Sequence, residues 1–319
     1  MTATAGRTGL ALAFVAGAMA TVALIDNVVR FVTAEMGLWQ FQAIRAAICC
    51  AGLLLLALVL RLPLRVRRPG MVALRSAVAS LAIVLYFGAL AVMTMNQAGA
   101  GLFSAPVFVL LFSVALLGLR VGPLRAGAVA VGFVGVLVVL RPWGDAGGAL
   151  APWAAALAVA AGALHGIGAL LTRQFCAEEP TAGLTLWHFV AMGLWGVLGL
   201  AALALLAPTV PDGAAGWFLR GWTLPSATAL GWTAANALGS LVAMALLIRA
   251  YQIAEASRVA VFEYLFLPFA ALWTWLLFGE AADLPTVLGT VLIVVAGALI
   301  LRRSAPAPVP QVAAGTPAP

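Results

Sequence analysis

The run RVAVFEYLFLPF, residues 258–269, places the carboxylate of Glu263 among apolar and aromatic neighbours. A charged group at the centre of a membrane helix costs about 2.5–3.5 kcal/mol on insertion scales, so such a residue needs a function or a partner. One function is proton-coupled exchange, in which the carboxylate binds and releases a proton. The alternative is a hydrogen bond or ion pair, with Arg45, Arg75 or Arg249, that fixes two helices. The sequence leaves both open.

Other polar side chains in apolar stretches could belong to the same site. Arg45 could bind an anionic solute through its planar guanidinium group, or it could be the counter-ion of Asp26 or Glu263. Tyr86 and Tyr264 carry hydroxyl groups that need a partner at depth. The candidate residues for solute binding or coupling are Glu263, Arg45, Tyr264, Tyr86, Arg75, His165, Asn236 and Phe103.

Simpler explanations compete for several polar residues. Arg75 follows a basic loop, which favours a positive-inside or snorkelling arginine. His165 lies between glycines in AGALHGIGALL, which favours a packing role over a proton relay. Asp26 and Asn27 are expected at a solvated outer mouth. His188 follows a tryptophan and is expected to be an interfacial anchor.

No motif in the sequence indicates an enzyme. The three cysteines have no metal-ligand spacing, and no His/Cys/Asp cluster does. A Gly-rich phosphate loop and a nucleophile elbow are also absent from the sequence. A membrane enzyme acting on lipid would need a reactive group near His188, Glu178 and Glu179, which match no motif. We therefore expect no metal, no cofactor and no ATP-driven pumping.

The composition requires a bilayer around the chain. Of the 319 residues, 65% are hydrophobic and 8% are charged, against about 45–50% and about 25% in soluble proteins. The net charge of +7 comes from 17 arginines and no lysine. Because these arginines lie between apolar segments, they indicate membrane orientation rather than nucleic-acid binding.

Ten apolar stretches are long enough to span a membrane, which predicts an all-α polytopic protein with ten transmembrane helices. Pro106 and Pro268 fall at comparable places in the fourth and ninth stretches. Each proline removes a helix hydrogen bond, which permits a kink and a gating role, or static curvature. The stretches are 9–29, 38–60, 72–94, 98–118, 123–140, 151–172, 184–207, 228–248, 257–278 and 284–301.

The arginines orient these stretches. With the N-terminus inside, Arg30, Arg141 and Arg220 fall on the outer side and Arg45 within a span, which leaves thirteen of the 17 on the inner side or its boundary. The positive-inside bias therefore predicts that both termini are cytoplasmic, in a bacterial-type inner membrane.

An internal repeat indicates two halves. Residues 92–142 and 249–303 each contain a polar break, an apolar helix, a Gly-containing turn and a Gly-rich helix ending in Leu-Arg. Because each half has five spans, an odd number, the halves must lie in opposite orientations. The predicted repeats are residues 1–145 and 146–303. Residues 304–319, rich in Pro and Ala, are predicted to be a disordered cytoplasmic tail.

Four segments carry a resemblance to a known family: FQAIRAA (41–47), GFVGVLVVLRP (132–142), AEASRVAVFEYLFLPFAALWTWLLFGE (254–280) and LGTVLIVVAGALILRR (288–303). Over about residues 8–303 the chain resembles the EamA-type proteins of the drug/metabolite transporter superfamily. The resemblance implies two inverted five-helix repeats, a central cavity, and export or uptake of small metabolites. The chain departs from the family pattern at LLGLR (116–120) and MNQAGAG (95–101).

These observations predict a secondary active transporter of a small polar metabolite, such as an amino acid or organic acid, that works by alternating access. In the proton-coupled version Glu263 is the proton site and Arg45 contacts an anion. The expected partners are a small-molecule solute, protons and membrane lipid, with a monomer or homodimer as the assembly. The alternative is a non-transporting membrane scaffold or subunit, which would have a closed, dry helix bundle.

Overall fold

The computed structural model describes residues 2–90, 92–102, 104–118, 122–141, 152–211 and 216–302. Helices are the regular elements of these ranges, and no strand occurs in them, which confirms the predicted all-helical class. The first six helices are α1 (Thr2–Asn27), α2 (Leu38–Leu60), α3 (Pro69–Ala89), α4 (Met95–Leu102), α5 (Ala105–Leu117) and α6 (Pro123–Leu140). The other six are α7 (Pro152–Phe175), α8 (Thr181–Leu206), α9 (Ala227–Ile253), α10 (Ala256–Phe262), α11 (Phe266–Phe278) and α12 (Leu284–Arg302).

Within the part of the chain that the structure describes, seven helical segments are long and apolar enough to cross a membrane. Three shorter apolar segments accompany them: Ala126–Leu140, Glu263–Phe278 and Leu284–Ala296. Leu55, Leu58 and Leu205 are 64%, 78% and 87% exposed, although each lies in an apolar helix. Side chains of this kind face lipid, so the chain is a polytopic integral membrane protein. The seven segments are Gly9–Phe31, Leu38–Leu60, Pro69–Ala89, Met95–Ala115, Trp153–Phe175, Thr181–Leu206 and Ala227–Ile253.

The fourth and ninth predicted stretches are each divided into a short helix and a longer one. In the first half α4 ends at Leu102 and α5 begins at Ala105, with Pro106 in its first turn. In the second half a 3₁₀ turn, Glu263–Leu265, separates α10 from α11, and Pro268 is the third residue of α11. A proline in the first turn leaves no intrahelical bond unmade. Each proline therefore lies in the first turn of the helix that follows the break in its span.

The helix starts in the two halves keep a constant spacing. Helices α4, α5 and α6 begin at residues 95, 105 and 123, and α10, α11 and α12 begin at 256, 266 and 284. Each start in the second half is 161 residues after its counterpart (256 − 95, 266 − 105, 284 − 123).

The packing between the halves is reciprocal. Helix α1 packs on α9 and α11. In the same way its counterpart α7 packs on α3 and α5. Helix α2 packs on its own counterpart α8, and α6 packs on α12. The α6–α12 contact is close: a Cβ atom on Gly135 would lie 2.8 Å from the carbonyl oxygen of Gly289. Glycine at both positions lets the two backbones approach.

Two loop glutamates form matching contacts at opposite ends of the bundle. Before α8, Glu179 accepts hydrogen bonds from the backbone N–H groups of Arg67 (2.7 Å) and Arg68 (2.9 Å), where α3 begins. Before α2, Glu35 accepts from the backbone N–H (2.8 Å) and hydroxyl (2.9 Å) of Ser226, where α9 begins. The backbone hydrogen bond from Ser226, followed by the hydroxyl bond, lowers the pKa of Glu35.

Candidate solute-binding site

A cavity of about 60 Å³ lies between the two halves. Its walls come from α1, α2, α3, α7, α8 and α9, from the end of α4, and from the 3₁₀ turn and the first residue of α11. The apolar part of the wall includes Phe87, Phe189 and Phe266. The polar side chains that line it are Asp26, Arg45, Tyr86, His165, His188, Ser240 and Glu263.

Glu263 is 1% exposed and has two hydrogen-bonding neighbours from different helices. Its Oε2 atom lies 2.7 Å from Nε2 of His165 on α7. Its Oε1 atom accepts a hydrogen bond from the hydroxyl of Tyr251, near the end of α9. These partners are an imidazole and a phenol and not the arginines that the sequence suggested. His165, expected to be a packing residue, is bound directly to the acid.

A second polar cluster surrounds Arg45, which is 2% exposed. Its Nη1 donates to Oδ1 of Asn236 (3.3 Å), and its Nη2 lies 2.9 Å from the sulfur of Met192. The guanidinium also stacks over the ring of Phe87, with 4.5 Å between Cζ and the ring centroid. Within the described ranges the Nε atom of Arg45 has no hydrogen-bond partner. Asn236 lies outside the cavity wall and anchors this cluster by donating to the carbonyl of Ile25 (2.9 Å).

Asp26 belongs to the cavity and not to a solvated mouth. The residue is 5% exposed, and its Oδ2 accepts a hydrogen bond of 3.0 Å from the hydroxyl of Tyr86. Asn27, also buried, donates to the carbonyl of Ala23 (2.8 Å) and accepts from the hydroxyl of Thr274 (2.9 Å). The expectation that both residues are solvated is therefore wrong: Asp26 lines the cavity and Asn27 joins α1 to α11.

Two further expectations are wrong at the opposite end of the cavity. Arg75 is 4% exposed and its Nε donates to the hydroxyl of Thr172 (2.8 Å), so it does not snorkel to the surface. His188 is fully buried and lines the cavity, so it is not an interfacial anchor. The adjacent tryptophan was a misleading signal, because the histidine faces a space whose other walls come from α3, α7 and α9.

The remaining aromatic candidates fall elsewhere. Tyr264 is buried but outside the cavity wall, and its hydroxyl lies next to Gly132 of α6. Phe103 lies outside the described residues. Tyr251 was missed because the predicted eighth span ended at residue 248, whereas α9 continues to Ile253. A predicted helix extended into AYQIAE (250–255) would have included Tyr251.

Metal chemistry has no support in this region. Within the described ranges, no group of three or more His, Cys, Asp or Glu side chains could hold a metal ion. The cysteines Cys49, Cys50 and Cys176 are free thiols.

Polar contacts lie at both ends of the helix bundle. At one end Arg30 pairs with Glu280 (3.0 Å) and Arg141 with Asp283 (2.7 Å). At the other end lies the Glu179 contact with the start of α3. A volume of about 60 Å³ holds a few waters and is far below the roughly 300–1,000 Å³ of ligand sites. Binding a metabolite therefore requires the bundle to open.

A polytopic helical protein with a buried polar cavity between its halves has the architecture of a membrane transporter rather than an enzyme. The model of the EamA-like transporter family matches residues 8–141 and 152–302. The chain belongs to this family, which lies in the drug/metabolite transporter superfamily and consists of transporters.

The relatives of the chain are named for different solutes. The chain is 33% identical over 230 residues to a riboflavin transporter of Rhizobium johnstonii, covering 72% of this chain and 69% of that protein. It is 28% identical over 281 residues to a pseudopaline exporter of Pseudomonas aeruginosa, covering 86% and 90%. A crystal structure with a TM-score of 0.59 and 21% identity covers 95% of this chain and 97% of that chain, and shows the fold alone.

Proposed function

We propose that the protein is a secondary active transporter that moves a small polar metabolite, such as an amino acid or organic acid, by alternating access with proton coupling. The observation that carries this proposal is the buried carboxylate of Glu263 in the cavity between the halves, hydrogen-bonded to His165 and Tyr251. Within the described residues, the hydrogen-bonding partners of this intramembrane acid are an imidazole and a phenol and not an arginine, which suits it to exchange a proton.

The two partners allow Glu263 to change its charge without losing its contacts. When Glu263 is ionised, it accepts a hydrogen bond from Tyr251 and can accept another from His165 in the tautomer that carries a proton on Nε2. When Glu263 carries the proton, its hydroxyl can donate to His165 in the other tautomer. The proton can thus be held by the acid or passed to the imidazole within one hydrogen bond.

The proposed architecture has ten spans in two inverted repeats, residues 1–145 and 146–303, with both termini on the cytoplasmic side of the inner membrane. The constant spacing of helix starts, the reciprocal helix contacts and the matched contacts of Glu35 and Glu179 support a pseudo-two-fold relation. Opposite orientation of the halves puts those two glutamates on opposite membrane faces, where each can close one entrance.

Alternating access then consists of opening one closed end at a time. The helix breaks next to Pro106 and Pro268 divide two spans into short and long pieces. Leu102 before the first break, Glu263 within the second and Phe266 directly after it line the cavity. Broken helices of this kind let half of a span move while the other half stays packed. We assign the gating movement to these two breaks.

Arg45 is the proposed contact for an anionic group of the solute. Its hydrogen-bonding partners, an amide oxygen and a thioether, are neutral, and its Nε has no hydrogen-bond partner among the described residues. The carboxylate of Asp26, which lines the same cavity, is a nearby opposite charge. Riboflavin is a second candidate solute, favoured by the names of several relatives. The aromatic wall of Tyr86, Phe87, Phe189 and Phe266 offers ring faces for stacking.

The test is uptake by the full chain in proteoliposomes with an imposed pH gradient, screened over amino acids, organic acids, nucleobases, riboflavin and pseudopaline. We expect uptake of one class to follow the gradient, and Glu263→Gln to lose that dependence. Glu178→Gln is the matched control, because the Glu178 side chain is 91% exposed. Unchanged pH dependence in Glu263→Gln refutes the proton site, and no transport of any solute in either direction supports the scaffold alternative.

A further inference from the structure

A second, smaller cavity of about 20 Å³ adjoins the main one on the α3 side of Glu263. Its wall includes Arg75, Thr172, His188 and Tyr251. His165 and His188 line both cavities, so the two spaces share a wall. The small cavity lies near the end of the bundle where Glu179 contacts the start of α3.

This compartment contains polar atoms without partners. Among the described residues, Nη1 of Arg75 and both ring nitrogens of His188 have no hydrogen-bond partner. Buried polar groups are nearly always hydrogen-bonded. Three unpaired polar atoms around one small cavity therefore indicate that a ligand group binds to them in that cavity. A neutral imidazole supplies one donor and one acceptor, and the guanidinium group supplies a charged donor.

The pair Arg75 and His188 is the counterpart of the Arg45 cluster under the exchange of the two halves. Arg45 is seven residues after the start of α2, and His188 is seven residues after the start of α8. Arg75 is six residues after the start of α3 and Asn236 is nine residues after the start of α9, a difference of less than one helical turn. One cluster therefore has its arginine on α2 and its neutral partner on α9. The other has its arginine on α3 and its neutral partner on α8.

The two clusters differ in one respect. Arg45 and Asn236 are hydrogen-bonded to each other at 3.3 Å. Arg75 instead donates to Thr172, and its Nη1 and the imidazole of His188 are unpaired in the described structure. Among the described residues, the Arg75 cluster therefore has three polar atoms available for a ligand, whereas the Arg45 cluster has one.

We propose that Arg75 and His188 form a second anion subsite, which binds the carboxylate group of the solute when the cavity opens at the α3 end. This inference rests on the proposed transport function and adds a substrate class: solutes that carry a carboxylate. Arg45 binds the acid group at one end of the pathway and Arg75 binds it at the other. The 20 Å³ volume admits one water-sized group, which suits one carboxylate oxygen while the rest of the solute occupies the main cavity.

The first test measures binding without transport. The purified full chain in nanodiscs is titrated with sodium formate, sodium acetate and sodium chloride while its thermal stability is followed. We expect formate and acetate to stabilise the wild type. Arg75→Gln and His188→Phe should raise the apparent dissociation constants at least tenfold, and Arg75→Lys should restore part of the loss.

Arg249→Gln is the matched control, because it removes one positive charge from an exposed position on α9. It should bind formate and acetate like the wild type. His188→Phe keeps a ring of similar size and removes no recorded hydrogen bond, so it should fold even if Arg75→Gln does not. Equal carboxylate binding in the wild type and His188→Phe overturns the subsite, and so does stabilisation by chloride alone.

The second test uses sidedness. With a transported carboxylate, Arg75→Gln should raise KM for solute offered at the α3 end more than for solute offered at the other end, and Arg45→Gln should do the opposite. Equal effects from both sides overturn the two-subsite scheme. The formate and acetate titration does not depend on transport, so failure of the proposed function and failure of the subsite give different results.

Discussion

Replacing Glu179 by glutamine should open the α3 end of the cavity. Glu179 is 6% exposed, and each of its oxygens accepts a backbone N–H at 2.7 or 2.9 Å. Glutamine keeps one acceptor and turns an NH₂ group toward the other N–H. A hydrogen bond to a charged group contributes about 1.5–3 kcal/mol, so the equilibrium between closed and open forms should shift by about 10–100-fold.

Cys176 provides a native reporter for this opening. The thiol is fully buried, and its backbone carbonyl is held, with that of Glu179, by hydrogen bonds from Gln252 (3.2 and 2.6 Å). Burial raises the pKa of the Cys176 thiol, which further slows its alkylation in the closed form. With Cys49 and Cys50 replaced by alanine, the rate of maleimide labelling reports the open fraction of this end alone.

The expected result is labelling of Cys176 that is about 10–100-fold faster in Glu179→Gln than in the parent chain. Glu35→Gln, which alters the matched contact at the other end, should leave the rate unchanged or reduce it. Equal rates in Glu179→Gln and its parent would refute the assignment of Glu179 as a closing contact. An equal increase in Glu35→Gln would refute independent closure of the two ends.

Three further predictions concern other contacts. The pKa of Glu35 is lowered from 4.5, so its contact with Ser226 is stable above pH 4.5 and is lost as the pH falls through the lowered value. Hydrogen exchange of residues 222–230, corrected for intrinsic rates, should therefore rise only in acid. Glu35→Gln should not show this rise. Gly135→Ala should destabilise the α6–α12 contact by about 1–3 kcal/mol, because its Cβ would lie 2.8 Å from a backbone oxygen. Gly127→Ala should not, because its Cβ would have no neighbour within 4 Å. Melting curves of the two variants distinguish these outcomes. Tyr251→Phe should move the midpoint of the transport pH profile upward, because the charged carboxylate loses a donor, whereas Tyr264→Phe should not; an unmoved midpoint in Tyr251→Phe would count against the Tyr251–Glu263 bond.

Much of the fold could be predicted because apolar stretches and turn residues are local signals. Helices α2 and α6 begin and end within a residue of the predicted stretches. The breaks in the fourth and ninth stretches were less visible, since nothing in a continuous apolar run shows where one helix ends and another begins. The prolines gave the approximate place of each break.

The candidate site was harder to predict, because its residues meet through tertiary packing. Glu263 and Arg45 stood out as charges in apolar runs, and both line the cavity. Their partners did not stand out: Tyr251 lay beyond an arginine taken as the membrane boundary, and His188 lay beside a tryptophan taken as an interface marker. Which face of α8 meets α2 and α3 depends on the assembled bundle and not on the sequence near His188.

The division of the ninth stretch also places Glu263 within the electric field of the membrane. Helix α10 has 7 residues and α11 has 13, which correspond to about 10 Å and about 20 Å of rise in a hydrocarbon layer about 30 Å thick. In the proposed orientation, a proton that reaches Glu263 from outside crosses about two-thirds of that layer. At 100 mV, inside negative, this step releases about 1.5 kcal/mol. If Glu263 is the proton site, as proposed, the position of one helix break makes proton loading sensitive to voltage as well as to pH.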